Sequence, residues 1–215
     1  MQDLVKVTGL VLSSSPVGEY DRRLVLLTKE RGKITVFAKG ARRQTSRLMA
    51  ATNLFAFGSF TLYPGRNAYT LTDVQIEQFF EGLRVDFEGA YYGMYFLEMC
   101  DYYARENNDE KELLKLLYQS LKALSVKSLS HPLVKVIFEL KAMVVNGEFP
   151  GMPTEGVWQE STRYTVHFIE TSTIEKLYTF TVNERVLEEL QKIAKTYQKR
   201  YIDRKMKSLE MLSLL

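Results

Sequence analysis

Cysteine is almost missing from this chain, whose 215 residues include only Cys100. A single thiol excludes an intramolecular disulfide framework. Because Cys100 lies in the apolar run MYFLEMCDYY, we expect it to be a buried core residue. Histidine is nearly as rare, and neither His131 nor His167 has a cysteine, a carboxylate or the other histidine at ligand spacing. We therefore predict neither a metal ion nor any other cofactor.

Long apolar runs are absent as well. The sequence contains no stretch of 18 apolar residues and no basic-then-apolar signal segment, so we expect a soluble, cytoplasmic protein without a membrane partner. A composition of 46% hydrophobic and 26% charged residues is typical of globular proteins and excludes a disordered chain. A chain of this length forms one large domain or two small ones.

Acidic residues are missing from one long window. Although the net charge is only +3, no aspartate or glutamate occurs from Arg31 to Thr72. Seven basic residues share that window: Arg31, Lys33, Lys39, Arg42, Arg43, Arg47 and Arg66. Residues 1–80 hold 11 lysines and arginines against 6 acids, whereas the rest of the chain is slightly acidic. This asymmetry predicts an N-terminal module that binds an anionic partner.

The first 80 residues alternate short apolar segments with turn sequences. We predict strands at residues 4–12, 23–28, 33–38, 54–63 and 68–74, and a loop at residues 13–19. Gly58 interrupts the fourth strand where a closing barrel needs a bulge or a bend. Five short strands favour a small closed barrel, either of the oligonucleotide/oligosaccharide-binding (OB) type or of another type such as the SH3-like barrel. We predict an OB-fold-like barrel over residues 1–80.

Residues 81–215 change to a helical period. Apolar spacing predicts four helices, at residues 86–106, 109–124, 132–147 and after Thr181, and a short last helix at residues 203–215. Two segments, RYTVHFIE (163–170) and KLYTFTV (176–182), alternate instead, which predicts a β-hairpin within residues 157–182. The predicted fold class is thus α+β, with a five-stranded barrel followed by a helical bundle that carries an inserted hairpin.

No arrangement of residues in the sequence predicts catalysis. The glycines are scattered and form no phosphate-binding loop. Glu98, Asp101 and Glu106 lie on one predicted helix, where carboxylates more often serve as caps or ion-pair partners than as catalysts. We therefore predict that the chain is not an enzyme; a nuclease would need a carboxylate cluster.

The segment FAKGARRQTSR (37–47) predicts a nucleic-acid surface. It directly follows a predicted strand, and the barrel also carries six aromatic residues, about half of which should point outward: Phe37, Phe55, Phe57, Phe60, Tyr63 and Tyr69. Outward aromatic rings beside arginine and lysine form the surface that binds single strands by stacking and phosphate contacts. The predicted DNA-binding residues are Arg22, Arg23, Lys33, Lys39, Arg42, Arg43, Arg47 and Arg66. In an alternative interpretation, the chain is an adaptor whose basic barrel binds an acidic protein.

Six short motifs occur in order along nearly the whole chain. They are Gly18-Glu19-Tyr20-Asp21, Arg31-Gly32-Lys33, Ala38-Lys39-Gly40-Ala41-Arg42, Ser46-Arg47-Leu48, Leu62-Tyr63-Pro64-Gly65-Arg66 and Ser208-Leu209-Glu210-Met211-Leu212. In this order and spacing the sequence resembles the bacterial RecO family of DNA repair and recombination proteins. The resemblance implies an OB barrel joined to a helical domain, in a cytoplasmic protein associated with the nucleoid.

The resemblance also implies a function and partners. Such proteins bind single- and double-stranded DNA, anneal complementary strands and act with RecR. They help RecA to load onto DNA coated by the single-strand binding protein SSB, whose acidic C-terminal tail they bind. The sequence departs from the family in one respect. Many members carry a four-cysteine zinc module after a helix that ends in G-x-x-P; here residues 147–150 match that approach, but residues 151–182 contain no cysteine. We expect the hairpin to take the place of the zinc module.

Overall fold

Five strands in the N-terminal part of the chain close into a barrel. The computed structural model describes residues 3–212. The strands are β1 (Val5–Val17), β2 (Asp21–Thr28), β3 (Gly32–Ala38), β4 (Phe57–Pro64) and β5 (Tyr69–Gln78), with a short helix α1 (Leu48–Ala51) between β3 and β4. Their order around the barrel is β1-β2-β3-β5-β4, and only the pairing of β3 with β5 is parallel. The predicted five-stranded barrel is confirmed.

Alternation along the strands fills the barrel with one set of side chains. The buried core includes Val7, Val11, Leu24, Leu26, Ile34, Val36, Phe60, Leu62 and Leu71. The register of β4 against β5 shifts at Gly58, where a Cβ atom would collide with the carbonyl oxygen of Gln75. The predicted bulge at this glycine is confirmed, because only a residue without a side chain permits the close approach of the two backbones.

The predicted loop at residues 13–19 is wrong in its first part. Strand β1 continues to Val17, and Ser14, Ser15 and Pro16 pair with Leu24, Arg23 and Arg22 of β2. Serine and proline have low strand propensity, but pairing with a complementary strand overrides local composition. This extension brings the turn between β1 and β2 next to the end of β3, since Arg22 also pairs with Ala38.

A segment from the helical part of the sequence packs with the barrel. Residues up to Glu81 and Leu97–Leu114 form one compact unit. Within it, Gly32 bridges to Glu106, and the backbone N–H groups of Lys33 and Asn107 donate to the carbonyl oxygens of Arg105 and Arg31, both at 3.0 Å. The segment therefore covers an edge of β3 that would otherwise be exposed.

The second compact unit contains Gly82–Phe96 and the residues from Lys115 onward, and it is helical. The helices that follow the barrel are α2 (Gly82–Val85), α3 (Phe87–Tyr103), α4 (Lys111–Ala123), α5 (His131–Val145), α6 (Glu160–Thr171), α7 (Glu184–Tyr201) and α8 (Lys207–Leu212), with a short 3-10 helix at Ile174–Lys176. Asn183 caps α7 by accepting the Val186 N–H at 2.9 Å, so this helix begins after Thr181. The predicted last helix lies in the described range only as far as residue 212.

The predicted β-hairpin within residues 157–182 is wrong. The segment predicted as its first strand belongs to helix α6. The segment predicted as its second strand contains the end of the 3-10 helix and then irregular chain up to Asn183. The buried residues of α6 are Thr162, Thr165, Val166 and Ile169, a helical spacing that the alternating threonines and aromatics of the sequence obscure. Packing against α5 and α7 decides the conformation, because tertiary contacts override the strand propensity of β-branched residues.

Lys141 holds the end of α6 in place. Its buried ammonium group donates to the carbonyl oxygens of Ile169 at 3.0 Å, Glu170 at 2.9 Å and Ser172 at 2.8 Å. Ile169 and Glu170 lie in the last turn of the helix, where carbonyl groups have no partner within it, and Ser172 directly follows the helix. A buried lysine on α5 thus fixes the segment for which we expected a hairpin.

Two further expectations concern Cys100 and membrane-spanning helices. Cys100 is fully buried, as its apolar sequence context predicts. Across residues 3–212, none of the helices combines the length and the apolar character that a membrane span requires.

Candidate nucleic-acid interface

The basic loop after β3, residues 39–47, is fastened to the turn between β1 and β2. The backbone N–H of Gly40 donates to the Asp21 carboxylate at 2.7 Å. The N–H of Arg42 donates to the Tyr20 carbonyl at 2.8 Å, and its guanidinium group donates to the Gly18 carbonyl at 3.2 Å. Gly18 and Gly40 have φ angles of 56° and 66°, which glycine adopts without strain. The G-E-x-D and A-K-G-A-R motifs are therefore two halves of one structure.

The cations of this loop point away from the barrel core. Lys39, Arg42, Arg43 and Arg47 are all exposed, and the Arg43 guanidinium lies 5.1 Å from the centre of the Tyr20 ring. We call these four residues, together with Arg22 and Arg23 at the start of β2, the basic end of the barrel. Such a group of positive charges on a rigid strand end attracts phosphate groups.

One carboxylate reaches the basic end as an ion-pair partner. Arg47 lies 3.2 Å from Asp73 of β5, and both side chains are mostly exposed. Within the described part of the chain, Lys39, Arg42 and Arg43 form no ion pair. Most of the positive charge is therefore uncompensated, although the acid-free window of the sequence ends one residue before Asp73.

Arg22 has a structural role at this end. Its half-buried guanidinium donates to Ser14 Oγ and the Thr52 carbonyl, both at 3.2 Å, and to Asn53 Oδ1 at 2.8 Å. These bonds join β1 and β2 to the chain that follows α1. Arg22 is therefore better placed to hold the barrel together than to bind a ligand.

Register places a row of side chains on the outside of the barrel. Arg23 pairs with Phe37, Phe37 with Thr70 and Thr70 with Tyr63. Directly paired residues point to the same face of a sheet, and the neighbouring Leu24, Val36 and Leu62 are buried inside. We call Arg23, Phe37, Thr70 and Tyr63 the outward row. It combines one exposed cation with two aromatic rings, which is the chemistry of single-strand stacking.

The six predicted aromatics separate into three groups. Phe60 is fully buried, whereas Phe37, Phe55, Phe57 and Tyr69 are half-buried. Tyr63 is 47% exposed and the nearby Tyr20, which the sequence did not single out as a stacking residue, is 43% exposed. The position of Tyr20 in the G-E-x-D motif is a signal that could have identified it as a candidate site residue, but its contact with Arg43 depends on the fold.

Two of the predicted DNA-binding residues lie apart from the basic end. Lys33 is at the opposite end of β3, roughly 17 Å along the strand, and its ammonium group contacts Asp101 at 3.3 Å and the Asp101 carbonyl at 2.5 Å. Arg66 is exposed in the turn between β4 and β5, three residues after Tyr63 of the outward row. The structure thus brings six of the eight predicted residues together, and Arg66 flanks the row.

The residues present do not fit a zinc ion in the region of the family's zinc module. Residues 151–182 contain no cysteine. Elsewhere, His131 contacts the carboxylates of Asp86 at 3.1 Å and Glu88 at 3.5 Å, but its ring also lies 3.2 Å from the Leu124 carbonyl. Over residues 3–212, no group of three or more His, Cys, Asp or Glu side chains is arranged to hold a metal ion.

Comparison with known proteins gives two family matches. Residues 1–80 match the family described as "Recombination protein O N terminal" and residues 84–152 match "Recombination protein O C terminal". The two matches belong to one protein family and together cover more than half of the chain.

Two of the similar proteins match over nearly their whole length. The chain is 26% identical to "DNA repair protein RecO" of Acetivibrio thermocellus, an alignment covering 98% of this chain and 97% of that protein. It is 29% identical to the protein of the same name from Alkaliphilus metalliredigens, over 94% of this chain and 95% of the relative. The protein from Listeria monocytogenes is 30% identical over 73% of this chain and 61% of its own length. The chain therefore belongs to the RecO family of DNA repair and recombination proteins, which confirms both the resemblance seen in its motifs and the prediction that it is not an enzyme.

Proposed function

We propose that this chain binds DNA through the basic end and the outward row of its barrel. The observation that carries the proposal is the anchored loop of residues 39–47, which displays Lys39, Arg42 and Arg43 without ion-pair partners among residues 3–212. A polyanion binds favourably to such a surface because each phosphate contact releases condensed counterions. The aromatic rings of Phe37 and Tyr63 add sequence-independent stacking, worth about 1–3 kcal/mol per base.

Annealing follows from this surface without any bond being made or broken. Two complementary strands repel each other through their phosphates, and a protein that neutralises part of this charge lowers the repulsion. Family membership supports the further role of a recombination mediator that acts with RecR, binds the C-terminal tail of SSB and helps RecA to load onto SSB-coated DNA. A protein with these partners works in the cytoplasm, at the nucleoid.

The test is the salt dependence of oligonucleotide binding for two matched variants. Arg42→Ala/Arg43→Ala removes two charges from the basic end, and Lys29→Ala/Arg31→Ala removes two exposed charges from the opposite end of β2 and β3. For single-stranded DNA, we expect the first variant to bind several-fold more weakly, with a slope of log affinity against log salt that is shallower by about 1.4. The second variant should bind like the parent.

Equal losses of DNA affinity in the two variants would show that only the total charge matters. Unchanged affinity in both would show that the basic end does not contact DNA. Binding of the parent to an acidic protein but not to bare oligonucleotides would favour the adaptor interpretation instead.

A further inference from the structure

Helix α7 carries a second, separate run of cations. From Leu190 to Ile202 the sequence contains no acid and four exposed basic residues: Lys192, Lys195, Lys199 and Arg200. With a rotation of about 100° and a rise of about 1.5 Å per residue, these side chains share one face over about 12 Å of helix. None of the four forms an ion pair with another described residue. We call this face the α7 surface.

Helix stability explains only part of this charge. Lys199 and Arg200 lie in the last turn, where cations complement the helix dipole. Lys192 and Lys195 lie too far from the end of the helix for that effect. Glu189, one turn before Lys192, accepts the hydroxyl of Thr162 at 2.5 Å and the N–H of Gln159 at 3.1 Å, so its carboxylate is engaged toward α6.

An aromatic platform lies beside the cations. The Lys192 ammonium is 5.6 Å from the centre of the Trp158 ring, and the Trp158 indole N–H donates to the Glu155 carbonyl at 2.9 Å. The ring packs on Gly156, where a Cβ atom would be only 3.2 Å from it. These contacts fix the orientation of the ring while leaving it partly exposed.

A cleft of about 560 Å³ separates the chain around Trp158 from α7. Its two walls are tied together by the hydroxyl of Tyr197, which donates to the Gly151 carbonyl at 2.9 Å. The cleft is bordered by Lys192 and Arg200, and Arg200 itself lies 5.4 Å from the Tyr201 ring. A fixed aromatic ring beside exposed cations is a combination that binds single-stranded nucleic acid without sequence preference.

We propose that the α7 surface is a second binding site for single-stranded nucleic acid, with phosphates along Lys192, Lys195 and Lys199 and a base stacked on Trp158. A peptide rich in acidic residues would use the cations but not the partly exposed ring of Trp158, so the aromatic ring favours nucleic acid. The inference rests on the proposed function in one respect, because a protein that anneals strands gains from holding two of them. In this arrangement, one DNA strand binds to the barrel and the other binds to the helical unit.

The first experiment uses the parent chain and a photoreactive oligothymidylate. Ultraviolet cross-linking followed by mass spectrometry of the peptides should give adducts at Trp158 or Tyr201, in addition to adducts at Tyr20 or Tyr63 of the barrel. Adducts on the α7 surface should persist in Arg42→Ala/Arg43→Ala, because that variant changes only the barrel.

The second experiment measures binding of the same oligothymidylate across salt concentrations. The variant Lys192→Ala/Lys195→Ala/Lys199→Ala should reduce the total salt slope by about 2, since three phosphate contacts are lost. A matched control, Lys122→Ala/Lys127→Ala/Lys176→Ala, removes the same charge from exposed positions elsewhere in the helical unit. The first variant should also slow annealing of complementary strands, whereas the control should not.

The outcomes separate the two proposals. If adducts form only on the barrel and both triple variants bind like the parent, the α7 surface is not a nucleic-acid site, while the function proposed for the barrel stands. If adducts form only on α7, the function proposed for the barrel fails instead. Binding of an oligoglutamate peptide to the α7 surface, with no nucleic-acid adduct there, overturns the inference in favour of an acidic protein partner.

Discussion

The backbone N–H of Gly40 donates a 2.7 Å hydrogen bond to the carboxylate of Asp21, although 19 positions separate the two residues. This bond connects two sequence motifs that each carry a glycine with positive φ. It places a negative charge beneath a loop of positive ones, where it has a positional rather than a neutralising role. Substitutions of Asp21 can therefore distinguish the contribution of charge to DNA binding from the contribution of loop geometry.

Replacing Asp21 tests that separation. Asp21→Ala removes an acid and should strengthen DNA binding if charge alone matters. We expect weaker binding instead, because the loop loses an anchor; hydrogen bonds that involve a charged group contribute about 1.5–3 kcal/mol. Asp21→Asn removes the same charge but keeps an oxygen that can accept the Gly40 N–H, so it should bind at least as tightly as the parent. Fluorescence anisotropy with a labelled oligonucleotide measures all three proteins. Tighter binding by Asp21→Ala than by Asp21→Asn would contradict the anchoring role.

The Arg47–Asp73 ion pair gives a second prediction. Asp73→Asn should release Arg47 for phosphate, which raises DNA affinity modestly and steepens the salt slope by about 0.7 for a single strand. The change in affinity should be small because exposed ion pairs are weak. Glu77→Gln on the same strand makes the same charge change at another exposed position and should leave the slope unaltered. If the two variants steepen the slope equally, Arg47 does not contact phosphate.

Lys141 gives a prediction about stability. Lys141→Met should keep much of the buried volume but leave the carbonyl groups of Ile169, Glu170 and Ser172 without their ammonium donor. We expect the free energy of unfolding of the helical unit to fall by about 3 kcal/mol, since buried polar groups that lose a charged partner are costly. Urea unfolding followed by circular dichroism measures the loss. Lys122→Met, at an exposed position of α4, should change it little. A Lys141→Met variant as stable as the parent would show that water replaces the ammonium group.

Cys100 gives a prediction about pH. Burial, and then the charges of Glu110 and Asp101, raise the pKa of its thiol well above the ordinary value of 9.0. The folded protein therefore keeps the proton at a pH where the unfolded chain releases it, so the free energy of unfolding should decrease as the pH rises above about 9. One such group contributes a slope of at most about 1.4 kcal/mol per pH unit. Urea unfolding of the parent and of Cys100→Ala between pH 8 and 10 compares the two slopes. A steeper decline in the parent is the expected result, and parallel declines would show that the thiol does not contribute.

The barrel could be predicted because its signals are local. Alternation, the bulge at Gly58 and the acid-free window are all properties of a few neighbouring residues. The prediction of a hairpin is wrong because packing decides the conformation of α6. Thr165, Val166 and Ile169 are buried, and Lys141 donates to a carbonyl group in the last turn of the helix. Neither influence is visible in the alternating sequence of residues 163–170.

The candidate site was predictable in its composition but not in its geometry. The loop of residues 39–47 was identified from its charges alone. The pairing of Arg47 with Asp73, the inward bonds of Arg22 and the distance of Lys33 from the loop all depend on strand register, which connects residues far apart in the sequence. Charge counts therefore indicate where a polyanion binds, whereas the folded barrel decides which cations it meets.

Chemical protection of arginine side chains tests the central claim most directly, because it needs no mutation. The parent chain is treated with phenylglyoxal with and without a saturating single-stranded oligonucleotide, and modification of each arginine is measured by mass spectrometry. We expect the oligonucleotide to protect Arg42 and Arg43 of the basic end, while Arg31 at the opposite end of the barrel and Arg163 on α6 remain equally reactive. Unchanged modification of Arg42 and Arg43 in the bound state, with the oligonucleotide shown to be bound, would contradict the account.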